Sequence, residues 1–350
     1  MAPFSVASAI LSPSLSLVYA VERASSRLDP AAWDAFAASA GATFRGSHQY
    51  LWTWRLRRAF GYRLRILEIY ADEQGAKRKI GQCAVGVARR RGANVFLDGL
   101  NLAPEEEHRW PEAIQAVLAI LGPGVFEYGW QLSTEPRREA VLATVDGVSI
   151  LSARPLVVQA VDFSRWESWQ AYFKAISENS RRSAKAAERD LPNLRMTVHT
   201  GISALRDIPA VARLRDSVGE RKGLDYQGQS ALRYAFGVIT GGNRFTTAVA
   251  SADGRPLSSY YGADFGERTY YLEGGSAPNN GGAAWSLLID MLRRSYERHP
   301  RGKFVMGYID YSIHQDDVGG GLLRARNACR VVEYETSVLR FRYDGDRPSA

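Results

Sequence analysis

Three carboxylates stand where a general base would be useful: Asp264, Glu273 and Asp310. Asp264 and Glu273 lie in strand-like runs at 257–265 (LSSYYGADF) and 268–273 (RTYYLE), and Asp310 ends a third run at 304–310. Side chains alternate along a strand, so Tyr260, Gly262 and Asp264 should share one face, and Tyr271 and Glu273 one face of the next strand. Reactive groups commonly sit at strand C-terminal ends beside a ligand-binding helix. The expected base is therefore Asp310 or Glu273, directly or through a water, with Tyr311 or His314 as the acid.

Between these carboxylates runs the loop GGSAPNNGG, 274–282. Asn279, Asn280, Gly281, Gly282 and Ala283 lead straight into a helix. The first turn of a helix has unpaired N–H groups and a partial positive charge, and glycine lets an anion approach the backbone closely. This pattern predicts a pyrophosphate cradle; the competing reading is an ordinary loop with Asn as N-cap. Other chemistries lack their signatures. There is no G-x-S-x-G elbow and no GxxxxGK loop. The histidines at 48, 108, 199, 299 and 314 show no ligand spacing, so no metal is expected. Cys329, in RNACRVV, reads as packed at a strand start.

These residues must be positioned by a meander of strands at 245–251, 257–265 and 268–273, turning at Asp253-Gly254 and at Gly266. The loop follows, then a helix at 283–298 with Ala284, Leu287, Leu288, Met291 and Leu292 on one face, then the strand at 304–310. The same layout occurs earlier: strands 64–70, 80–90 and 94–97, loop 101–107, helix 110–121, strand 126–132. The earlier loop carries Glu105, Glu106 and Glu107, which would repel an anion, so only the later copy should hold an anionic cofactor. A short helix at 30–40 precedes 44–60, where Trp52 stands among arginines as a ligand wall or as one face of a packed helix. A helix at 136–145 and a strand at 156–163 lead to a long helix at 164–191. Its apolar stripe (Trp166, Trp169, Phe173, Ile176) gives way to Arg181, Arg182, Lys185 and Arg189, a solvated end or a phosphate-contacting face. A strand at 195–200 and helices at 208–220 and 230–240 come next. A short helix at 322–328 and two strands, 330–334 and 337–343, follow the last carboxylate.

With 350 residues, 45% hydrophobic and 23% charged, the chain has the composition of a soluble globular protein of two domains. The net charge of +8 permits a nucleic-acid or anionic partner without requiring one. Two distant cysteines, Cys83 and Cys329, make no disulfide framework and fit a reducing compartment. The N-terminus lacks a basic export region, and no apolar run approaches the roughly 20 residues of a membrane span. A cytoplasmic protein is expected, with its first strand at 15–21.

The second half resembles the BioF-type/CelD-like acetyltransferases of the GNAT superfamily, which are similar to the tandem-GNAT FemABX proteins. The resemblance rests on the basic segment NSRRSAKAAERD, the hairpin DGRPLSSYYGADFGERTYYLEGG, the glycine loop before WSLLIDMLRRS, and the ending DDVGGGLLRARNACRVVEYETSVLRF. In that ending Arg326 stands near the family's usual lysine, while Ala328-Cys329 replaces an aromatic-glycine pair. The resemblance implies an α/β (α+β) fold: a GNAT-like mixed sheet with flanking helices, in two tandem domains. Residues 1–29 would be a tail and first strand, 30–155 a degenerate copy and 156–345 the acyltransferase domain. It implies acetyl-CoA or another acyl-CoA as co-substrate, its pyrophosphate on 279–283. An amine or hydroxyl of an amino acid, sugar or polysaccharide-related acceptor would be held by Trp52, Tyr260, Tyr271, Arg182 and Arg326. The alternatives are transfer from aminoacyl-tRNA, as in the FemABX proteins, and a non-catalytic role in polysaccharide export.

Overall fold

Every strand of the described chain joins one sheet. The computed structural model describes residues 17–73, 75–221, 223, 230–310 and 317–345. In chain order the elements are β1 (Leu17–Arg23), α1 (Pro30–Ser39), α2 (His48–Arg58), β2 (Tyr62–Glu73), β3 (Ala76–Ala88), β4 (Asn94–Phe96), β5 (Asn101–Leu102), α3 (Trp110–Leu121), β6 (Gly124–Tyr128), α4 (Glu139–Leu142) and β7 (Val148–Asp162). They continue with α5 (Trp169–Ala175), α6 (Glu178–Asp190), β8 (Arg195–Thr200), α7 (Ile208–Arg221), α8 (Ser230–Gly241), β9 (Phe245–Ala252), β10 (Arg255–Phe265), β11 (Arg268–Ser276), α9 (Ala283–Arg298), β12 (Lys303–Ile309), α10 (Asp317–Ala328) and β13 (Val332–Tyr343). The strands lie in the order β1-β2-β3-β4-β6-β13-β7-β12-β11-β10-β9-β8, with β5 beside β3.

The two halves repeat one arrangement. β3 and β4 are antiparallel, and β4 runs parallel to β6 across the α3 crossover. Likewise β10 and β11 are antiparallel, and β11 runs parallel to β12 across α9. Parallel neighbours require such a crossover, and the apolar stripe of each crossover helix supplies the face that covers the sheet. Trp110, Ile114, Val117 and Leu118 of α3 enter the core of the first half, and Leu287, Met291 and Leu292 of α9 one core of the second. β13 lies between the halves, antiparallel to both β6 and β7.

Local chemistry accounts for most element ends. Asp29 caps α1 by accepting from Ala31 and Ala32, with Pro30 at the first helical position, and Ser47 caps α2. The expected long helix at 164–191 is broken. Ser177 caps a separate α6 by accepting from the Ser180 N–H, and Ile176 before it is extended. The expected helix at 136–145 shrinks to α4. The two closing strands are one, β13, whose twelve residues run alongside β7 and β6. The strand expected at 156–163 begins earlier, as the long β7. No helix among the described residues is long and apolar enough to cross a membrane.

Candidate active site

The sheet opens at one place in its second half. β11 pairs with β12 only at Arg268–Lys303, Thr269–Phe304 and Tyr270–Val305. Beyond Tyr270 the two strands have no paired residues, although β11 continues to Ser276 and β12 to Ile309. A bulge lies at the same level. Tyr261 of β10 faces Glu273 while Gly262 faces Tyr271, so Leu272 is the extra residue. A bulge breaks the period of two and re-aims the side chains around it.

The bulge corrects the expected facing of Tyr271 and Glu273. Tyr271 stacks on Tyr260, with ring centroids 5.2 Å apart, and both line a cavity of about 290 Å³ with Gly274, Gly275, Trp285 and Leu288. Glu273 lines a different cavity of about 360 Å³, between α2 of the first half and α8 of the second. Adjacent Tyr260 and Tyr261 belong to different packed cores, one with α9 and the other with α8, which places the two cavities on opposite faces of the sheet. We call the first the slot and the second the inter-half cavity.

Arg326 of α10 reaches the opening. Its guanidinium donates to the Tyr308 carbonyl at 3.0 Å and to Gln159 Oε1 at 3.4 Å, and its Nε is buried without a partner. No carboxylate pairs with it among the described residues. Burial pushes its pKa down to about 10, so it stays protonated at neutral pH. Gly307 makes room for it: φ is +127°, and a Cβ there would lie 2.2 Å from the guanidinium. Tyr271 has its pKa pushed up to about 12 by burial, against the opposing charge of Arg326. Tyr271 and Ala325, the neighbour of Arg326 in α10, line the slot, so a protonated phenol stands there within the field of a cation that has no carboxylate partner among the described residues.

The two described candidate bases are both ion-paired. Glu273 accepts from Arg215, Arg233 and the Tyr234 hydroxyl. Asp310 is buried, and Arg154 reaches its Oδ2 with Nε at 2.7 Å and a terminal nitrogen at 2.6 Å. Asp264 accepts from Thr269 at 2.6 Å and Arg298 at 3.0 Å, alongside the stretch of β11 that is paired with β12 and away from the opening. Tyr311 and His314 lie outside the described residues. Cys329 is a buried free thiol, its pKa pushed up to about 12, which is inert as a nucleophile at neutral pH.

The glycine loop has a tighter structure than an open cradle. Asn280 Oδ1 accepts from the N–H groups of Gly282 at 3.1 Å and Ala284 at 3.4 Å, and its carbonyl accepts from Ala283. The Gly282 carbonyl takes Trp285 and Ser286. The N–H groups of 282–286 therefore already have acceptors. Asn279 (φ 50°), Gly281 (φ 59°) and Gly282 (φ 90°) adopt left-handed backbone conformations. Gly282 lies against α6, where a Cβ would fall 2.3 Å from the Ser183 carbonyl oxygen, and Ala283 is fully buried. The glycines seat α6 on the start of α9, while Ala284, Trp285 and Leu288 line the slot from the next turns.

The remaining expected ligand contacts divide. Trp52 is 46% exposed under the Arg55 guanidinium, on the outer side of α2. The face of α2 toward the inter-half cavity carries Gln49, Tyr50, Thr53 and Arg57, a helical spacing that Trp52 obscured. Tyr260 and Glu273 do not meet in one cavity. Arg182 is exposed on α6 and pairs with Glu178. Sequence reasoning passed over Arg233, Tyr234 and Tyr261, which join Glu273 in the inter-half cavity. Arg233 and Tyr234 lie on α8, whose polar spacing gave no sign of them, and Tyr261 lies on β10.

Residues 174–312 match the family model described as Acetyltransferase (GNAT) domain. No curated protein matches the sequence. Among solved structures the chain is similar to FemX, with 13% identity, a TM-score of 0.66, and coverage of 91% of this chain and 96% of that one. It is also similar to a conserved protein of unknown function from Bacteroides thetaiotaomicron VPI-5482, with 12% identity, a TM-score of 0.52, and coverage of 93% and 100%. Residues 174–312 are therefore GNAT-like, and over 91% of its length the chain has the fold seen in FemX.

Proposed function

We propose that this chain is an acyltransferase, moving an acetyl or other acyl group from acyl-CoA in the slot to an amine or hydroxyl in the inter-half cavity. The observation that carries this reading is the placement of two cavities on opposite faces of the sheet, at the one level where β11 and β12 part. A donor arm in the slot would lie along 271–276, the part of β11 without a partner in β12. The attacked carbonyl would stand in the gap, within reach of the acceptor from the other face. Residues 156–345 would then be the catalytic domain and 30–155 a degenerate copy that walls the acceptor. An acceptor of the amino-acid, sugar or polysaccharide-related class suits a cavity that combines aromatic walls with Arg233 and Glu273.

Each side chain has a task in this reaction. Arg326 would donate to the carbonyl oxygen as it becomes an oxyanion. Glu273 or Asp310 would take the proton from the acceptor, after exchanging an arginine contact for it. The new C–N or C–O bond forms, the C–S bond breaks, and Tyr271 would return a proton to the departing thiolate. Tyr311 or His314 is the alternative acid. An acyl-CoA donor and two buried free thiols fit a cytoplasmic protein. The test is calorimetric titration with acetyl-CoA. Saturable binding that desulfo-CoA shares and free adenosine diphosphate lacks supports the slot; no binding of acetyl-CoA overturns this reading.

One observation favours a second donor. The N–H groups of 282–286 already have acceptors, so the nucleotide end of CoA would need other contacts. An aminoacyl ester on tRNA would instead meet the exposed basic residues of α6, which packs beside this loop. It predicts tRNA affinity falling steeply with salt.

A further inference from the structure

The inter-half cavity adjoins a hollow of about 270 Å³ that shares Tyr50, Thr53 and Arg57 with it. Arg45, Arg57 and Arg58 line this hollow, and its one carboxylate is Glu127, at the exposed rim. None of the three arginines has a carboxylate partner within ion-pair distance among the described residues. Of the other arginines lining the adjoining cavity, Arg233 pairs with Glu273 and Arg244 with Asp34. Aromatic rings hold two of the unpaired ones. The Arg45 guanidinium lies 5.5 Å from the Tyr50 ring and 5.3 Å from the Trp130 ring, and its Nε is buried without a hydrogen-bond partner. Arg57 lies 5.6 Å from the Phe236 ring. Stacking fixes a guanidinium by its face and leaves its N–H edge free, the geometry suited to a planar or tetrahedral oxyanion.

We propose that this hollow binds an anionic group carried by the acceptor, a phosphate or a set of carboxylates, while the acceptor's nucleophile extends through the inter-half cavity to β11. The proposal rests on the acyltransferase reading and narrows the acceptor to an anionic molecule. The shared Arg57 gives the group its orientation: anion at the α2 end, nucleophile at the Glu273 end.

The test titrates the full chain, without acyl donor and at low salt, with pyrophosphate and separately with tricarballylate. The variants are Arg57→Glu/Arg58→Glu and, as an equal charge change outside the hollow, Arg195→Glu/Arg213→Glu. Arg57 and Arg58 are exposed, so their replacement leaves the buried face of α2 intact. We expect one equivalent of at least one anion to bind the wild type. Affinity should fall at least about tenfold in the first variant and stay within about twofold in the second. A preference for pyrophosphate assigns a phosphate-bearing acceptor; a preference for tricarballylate assigns a carboxylate-bearing one. Wild type that binds neither anion, or equal losses in both variants, overturns the proposal. Because no donor is present, a failed acetyl-CoA titration would remove the acyltransferase reading and leave the anion result readable on its own.

Discussion

Gly282→Ala separates the packing role of the glycine loop from a ligand-cradling one. Residue 282 has φ +90°, and a new Cβ would stand 2.3 Å from the Ser183 carbonyl oxygen and 3.0 Å from its carbon. Left-handed backbone costs a non-glycine residue about 1–2 kcal/mol. A methyl group forced against helix backbone adds about 1–3 kcal/mol, because α6 must shift to admit it. The expected loss is therefore about 2–5 kcal/mol. Gly281→Ala is the internal comparison. Its φ is +59°, and its Cβ would meet only the side chain of Leu191, at 3.0 Å. The terminal methyl groups of Leu191 can turn aside, so about 1–2 kcal/mol is expected. Urea denaturation at fixed m-value reads both. Donor affinity supplies the second readout: in folded Gly281→Ala it should match wild type, since the first-turn N–H groups are bonded within the loop. The reasoning fails if Gly282→Ala costs no more than Gly281→Ala, or if Gly281→Ala weakens donor binding tenfold.

Further outcomes follow from the side chains around the opening and from one partly buried acid. The fall of Arg326 from 12.5 to about 10 corresponds to roughly 3 kcal/mol of burial cost, which Arg326→Met would relieve while stranding two hydrogen-bond acceptors. Its stability should stay within about 2 kcal/mol of wild type in urea melts. Thiol release from acetyl-CoA, with hydroxylamine as nucleophile, should fall about 10²–10³-fold; an unchanged rate would remove Arg326 from the reaction. Tyr271→Phe should slow the same reaction about 10²-fold with donor affinity preserved, and an equal loss in affinity would mark it as a binding residue only. Glu135 has its pKa raised from 4.5 to about 7, by burial first and by the charge of Asp98 second. The folded state then keeps a proton that the unfolded chain has released, so this group lowers stability as pH rises from about 4.5 to 7 and holds that penalty above it. Part of Glu135 reaches solvent, so Glu135→Gln should gain about 1–2 kcal/mol at pH 8 and close to none at pH 4. Equal gains at both values would contradict the assignment.

The crossover helices and the meander were legible because their signals are local. The stripe of α9 fixes both its face and its sheet partners, and Asp253-Gly254 and Gly266 announce their turns. The repeated layout could be read the same way, since each half orders its strands around one crossover. What escaped the sequence depends on tertiary context. The bulge at Leu272 has no composition signature, yet it sends Tyr271 and Glu273 to opposite faces. Asn279 to Gly282 read equally as an anion cradle or a cap, and only the folded loop shows that its N–H groups are spent on Asn280 and on the Gly282 carbonyl. The Ser177 cap that divides α5 from α6 was visible as a residue type, but the apolar stripe before it and the basic run after it masked the break. Arg57 read as part of a solvated helix edge, and nothing local to it shows the Phe236 ring beside it.

The position of β13 sets a schedule for making the molecule. β6 is complete at residue 128, but the strand that covers its free edge begins at residue 332. At typical synthesis rates the first half would wait roughly 10–40 s with that edge unpaired. An exposed β edge is a template for pairing with another chain. The first half is thus committed to a helper, a slow local closure or a temporary substitute strand during that interval. Its yield in a cell should depend on translation speed between β6 and β13 more than on the stability of the finished sheet.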